Sequence, residues 1–92
     1  MFRRGWFGLG RLRSDEGFSI AYGHKALRYF DEHGEVQAGF EDGYLFPDIF
    51  RVGTPLMRIT GPDRDKILDR MVRALEWDGQ SVQVWDGAKA SE

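Results

Sequence analysis

Between residues 60 and 79 the apolar side chains recur at helical spacing. Ile67, Leu68, Met71, Val72 and Leu75 fall one, three and four apart, while Arg64, Lys66, Asp69, Arg73 and Glu76 take the other side. The spacing predicts a helix over 62–77. Thr60 with Asp63 three residues on reads as a capping box in its acidic variant. Pro62 falls in the first turn, where its missing N–H costs nothing, and Gly79 stands where a C′ residue would stop the helix. Asp63 and Asp65 lie toward the positive end of the helix dipole, with Arg70 and Arg73 later.

Upstream the period is two. Phe18, Ile20 and Tyr22 share one face of a predicted strand over 18–22, and Val36, Ala38 and Phe40 share one face of another over 35–40. Residues 25–30 mix helix-favouring Ala26 and Leu27 with strand-favouring Tyr29 and Phe30. Six residues between Gly23 and a turn at 31–34 are short for a helix, so a strand is expected. Asp42 and Gly43 form a strong turn signal ahead of a short strand at 44–46, which Pro47 ends. In 47–60, Ile49, Phe50 and Val52 and then Leu56, Met57 and Ile59 are apolar enough to be buried, with Gly53, Thr54 and Pro55 between them. This stretch reads as a connection from sheet to helix, with room for a short edge strand at 56–59. Val82 and Val84 face one way in a last strand over 80–85, and 86–92 reads as a flexible polar tail. The expected fold is α+β: one domain over 1–92, a mostly antiparallel meander of five to six strands packed on one C-terminal helix (62–77), then the last strand.

Composition adds bulk and charge to this outline. The chain has 92 residues, 41% of them hydrophobic and 14% aromatic, so a small core is built from few, large side chains. There is no cysteine, which excludes a disulfide framework, a thiolate metal site and a cysteine nucleophile. No run approaches the roughly eighteen apolar residues that span a bilayer, and the N-terminus lacks the apolar stretch and cleavage site of a signal peptide. A soluble cytoplasmic protein is expected. Residues 1–13 hold four arginines and no acid, leaving nine basic and fifteen acidic residues in the remainder. An acidic body repels a phosphate backbone, so nucleic acid is disfavoured except through this arm. There Arg3, Arg4, Trp6, Phe7, Arg11 and Arg13 are the candidate contacts for single-stranded bases or an anionic surface. The competing reading makes the arm an edge strand with its arginines on the wet face.

Catalytic chemistry finds no foothold. His24 and His33 sit beside glycine in predicted turns, without the spacing that brings metal ligands together. Ser14, Ser19 and Ser81 lie in turn or strand contexts, away from any nucleophile elbow. Asp63 and Asp65 serve as helix-start charges. No catalytic residue, metal or cofactor is expected. Tyr22, Tyr29, Phe30, Phe40 and Tyr44 exceed what one helix covers, so either some meet a protein partner or a second copy, or the arm folds over them. A non-catalytic protein-interaction domain is the expected function.

Asp63, Arg64, Asp65, Lys66, Ile67, Leu68, Asp69, Arg70 and Met71, followed by Leu75, Gly79, Val82, Gln83, Val84 and Trp85, resemble a family of small immunity proteins of bacterial polymorphic toxin systems. The order of elements over 18–85 is similar too, whereas the linker 50–55 lacks the tryptophan often present there. The resemblance implies an inhibitor that neutralises a toxin by direct contact, with no catalytic residues of its own.

Overall fold

Nine strands and one helix follow one another in the computed structural model, which describes residues 2–4, 11–23 and 25–85. The strands are β1 (Phe2–Arg4), β2 (Arg11–Ser14), β3 (Ser19–Tyr22), β4 (Ala26–Asp31), β5 (Gly34–Glu41), β6 (Tyr44–Leu45), β7 (Phe50–Arg51), β8 (Met57–Arg58) and β9 (Gln83–Val84), with helix α1 (Gly61–Trp77) between the last two. The α+β expectation holds. Strands β1 to β6 run in sequence order as an antiparallel meander, and β9 joins β6 at the end.

The alternation places the core where the period predicted it. Phe18 and Ile20 from the β3 segment, Leu27 and Tyr29 from β4, and Val36, Ala38 and Phe40 from β5 are all buried. Against them α1 presents Ile67, Leu68, Met71, Ala74 and Leu75. Val72 is only half-buried at the margin of this stripe, and Ala74 takes the inner position instead. Polar bonds reinforce the seam. Arg73 bridges Asp69 at 2.9 Å and Glu16 in the β2–β3 turn at 3.1 Å, and the Tyr22 hydroxyl donates to Asp78 past the helix end.

Three local expectations change. Thr60 is the N-cap residue, yet its side chain makes no capping hydrogen bond. Gly61 enters the helix at φ 67°, a left-handed start that swings the chain and takes the Thr60 hydroxyl away from the first-turn N–H groups. The last strand shrinks from 80–85 to two residues and runs parallel to β6. A helical crossover returns the chain in the same direction, so a parallel partner is the natural outcome. Val84, expected to face the same way as Val82, is exposed, while Val82 packs on the core.

Where the arm is described it forms strands. Arg3 and Arg4 lie in β1, and Arg11 and Arg13 in β2, with β1 and β2 antiparallel. Trp6, Phe7, His24 and the 86–92 tail lie outside the described residues. The Asp42–Gly43 turn has φ 53° and 82°, the left-handed pair that a two-residue hairpin requires and that Asp-Gly supplies.

Candidate interaction surface

One edge of β5 is shared. β7 pairs with it at Val36 and Gln37, and β6 pairs with it at Phe40 and Glu41. The β7–β8 hairpin is therefore a side branch of the sheet, held by two residue pairs on β5 and by its own internal pairs Phe50–Arg58 and Arg51–Met57. Ile49 at its base is fully buried and Ile59 half-buried. Beyond that base the chain leaves the core.

Residues 52–58 are all exposed, the longest such run among the described residues. Large exposed apolar side chains among the described residues are Tyr44, Phe50, Val52, Leu56, Met57, Trp77 and Val84; four of these seven fall within 50–57, and Leu56 and Met57 are the most exposed, at 57% and 61%. This overturns the expectation of burial for Phe50, Val52, Leu56 and Met57, while Ile49 and in part Ile59 meet it. Strands β7 and β8 have two residues each at a sheet margin, and only Ile49 and Ile59 at their base reach the core. Grooves flank the hairpin on both sides. Toward α1 a cavity of about 560 Å³ is lined by Asp31, His33, Arg51, Arg58, Thr60 and Lys66. On the outer sheet face a shallower one of about 370 Å³ is lined by Ala26, Arg28, Gln37, Gly39, Asp48 and Phe50.

Three arginines here are paired. Arg51 Nη1 donates to Asp31 Oδ1 at 3.1 Å, and the pair is largely shielded, with the two side chains 25% and 9% exposed. Asp31 also accepts the backbone N–H of His33 at 2.8 Å. Burial pushes its carboxyl up, but the Arg51 and His33 hydrogen bonds, with the Tyr29 hydroxyl, outweigh this and hold it below the usual carboxylate range. At the base of β8, Arg58 bridges Asp48. On the outer face Arg28 grips Glu35 through two bonds of 2.9 Å and covers the Phe30 ring, which keeps Glu35 more acidic than usual.

The sheet face left open by α1 is thus mainly polar. Of the five aromatic residues thought too many for one helix, Tyr29 and Phe40 are buried, Tyr22 packs against the core, Phe30 is half-buried and Tyr44 is exposed. Tyr44 belongs to a rim cluster in which Trp85 meets Tyr44 edge-on at 5.3 Å and Phe46 at 5.9 Å. Phe46 in turn lies against Gly39, where an added Cβ would come within 3.0 Å of its ring.

The candidate arm residues are only partly brought together. The ladder places Arg3 opposite Arg13 and Arg11 opposite Ala21, and Arg13 is exposed. His33 is exposed and contacts Glu32 at 3.4 Å. Among the described residues no group of three or more His, Cys, Asp or Glu is placed to hold a metal ion, and no helix is long and apolar enough to cross a membrane. Comparison with family models, with curated proteins and with solved structures found no match. The surface itself must carry the functional argument.

Proposed function

We propose that this chain is a non-catalytic protein-binding domain whose contact surface is centred on the tip of the β7–β8 hairpin. One observation carries the reading: Phe50, Val52, Leu56 and Met57 are exposed together on a single projecting element. Scattered exposed apolar residues are ordinary, whereas four large ones within residues 50–57 concentrate apolar surface on one hairpin, as a contact site does. Arg58, Asp48 and Arg51 supply a polar surround, already paired, so covering them leaves no lone charge buried.

The likeness of 60–85 to immunity proteins supports a toxin as the partner class. The acidic body suits a basic, nucleic-acid-cleaving one. The proposed site of action is the cytoplasm. The test is affinity purification from the source cells with two baits, the wild type and a Val52→Ser, Leu56→Ser, Met57→Ser variant. A discrete protein held by the first and released by the second is expected, and co-expression with it should restore growth if it is a toxin. Equal retention by both baits contradicts the assignment of the surface.

A second reading rests on the register that sets Arg3 opposite Arg13. With four arginines and no acid in residues 1–13, this supports nucleic-acid or anionic-surface contact through Arg3, Arg4, Arg11 and Arg13. Salt-sensitive oligonucleotide binding, lost on deleting residues 1–13, would favour it.

A further inference from the structure

The β7–β8 hairpin has few anchors for an element that carries so much exposed apolar surface. Two ladder positions on β5, the Val52 N–H to Glu35 carbonyl bond of 2.8 Å and the buried Ile49 hold it from the sheet side. On the helix side a cavity of about 560 Å³ lies beside the hairpin, lined by Arg51, Arg58 and Ile59 and by Asp63, Lys66 and Ile67 of α1. In the wall of this cavity the guanidinium of Arg51 reaches Asp31 with both Nη atoms, at 3.1 and 3.4 Å. Asp31 is the last residue of β4, fixed from behind by the His33 N–H. The pair therefore links the side branch to the central meander by side chains alone.

We propose that the Asp31–Arg51 pair is a latch that holds the β7–β8 hairpin in the sheet, and that the hairpin opens as a unit while the helix–sheet core stays folded. Segments with short ladders, exposed backbone and little buried apolar area open at free energies well below global unfolding. Ile49 and Ile59 bound the unit, because the Ile59 N–H bonds the Ile49 carbonyl at 3.0 Å and closes the hairpin base. Its regulatory consequence rests on the proposed contact surface: releasing the latch changes how Phe50, Val52, Leu56 and Met57 are presented. The opening itself does not depend on that reading.

Residue-resolved amide exchange on the full chain, with no partner present, tests the latch. The reporters are the Val52 and Ile59 amides for the hairpin and the amides of Met71 to Leu75 for the core. In Arg51→Gln, and separately in Asp31→Asn, the hairpin reporters should exchange on the order of tenfold faster, from the loss of the charge-assisted pair, with the helix reporters unchanged. Arg51→Gln leaves the His33 contact of Asp31 in place and so isolates the latch from the β4–β5 turn. Unchanged hairpin exchange, or equal acceleration of hairpin and helix, overturns the proposal. Because no partner is present, either result leaves the location of the contact surface to be decided by the two-bait purification.

Discussion

Arg70 donates from Nη1 to the hydroxyl of Tyr29 at 2.8 Å, joining the middle of α1 to the centre of β4. The Tyr29 ring is fully buried and stacks on Phe18 at 5.6 Å, and the same guanidinium lies 4.9 Å over the Phe18 ring. A long cationic side chain thus seals the seam between helix and sheet while satisfying a buried phenol. Burial pushes that phenol up, and the Arg70 hydrogen bond counters it. Tyr29→Phe should cost about 1.5–3 kcal/mol, the range for a hydrogen bond to a charged group. Urea denaturation of the two proteins measures it.

Leu68→Asp should abolish folding. The side chain lies in the α1 stripe at 9% exposure, packed with Ile67, Met71 and Leu75. A buried carboxylate without a partner costs several kcal/mol, against a net stability of about 5–15 kcal/mol for a domain. A cooperative melt close to wild type would disprove the packing of α1 on the sheet.

Gly43→Ala should destabilise by about 1–2 kcal/mol. The position has φ 82°, and an added Cβ would meet the Ser81 carbonyl at 3.1 Å. Strain and crowding act together there, next to the β6–β9 pair. Thermal melts would register the loss.

Acid should weaken the fold through Asp31. Its folded carboxyl is held below the ordinary range, so its contribution is complete above the unfolded value of about 3.9 and is lost as pH falls through the lower folded value. Arg13, Tyr29, Glu32, His33, Arg51, Arg58, Asp63 and Lys66 surround it on the grooves it lines or touches. Stability of wild type and Asp31→Asn should therefore converge as pH drops below about 4. Parallel curves through that window would contradict the assignment.

The helix and the meander were legible because each has a strong period and one face to bury. Ile67, Leu68, Met71 and Leu75 at helical spacing, and Val36, Ala38 and Phe40 at alternate positions, read directly as core. Tyr29 was harder, since its burial depends on how far a curled sheet wraps the helix. The 47–60 segment misled for a physical reason. Its apolar residues have no single period, and hydrophobicity alone does not distinguish Ile49, at the hairpin base, from Leu56 at its tip. Two apolar groups divided by Gly53, Thr54 and Pro55 were the available signal for a hairpin. Which of them faced water required the pairing of β7 with β5.

The exposed hairpin should tolerate change. Val52→Ser, Leu56→Ser and Met57→Ser together should alter stability by no more than about 0.5 kcal/mol per site, as is usual for exposed positions away from packing. A large loss in a urea titration would mean that these side chains are buried against something within the chain itself.

Site-specific photo-crosslinking in the source cells tests the contact surface most directly. A photoreactive residue at Leu56 should give one discrete protein adduct, whereas the same residue at Glu76, exposed on the helix away from the hairpin, should give none. Adducts at position 76 with none at 56 would contradict a binding surface at the hairpin tip.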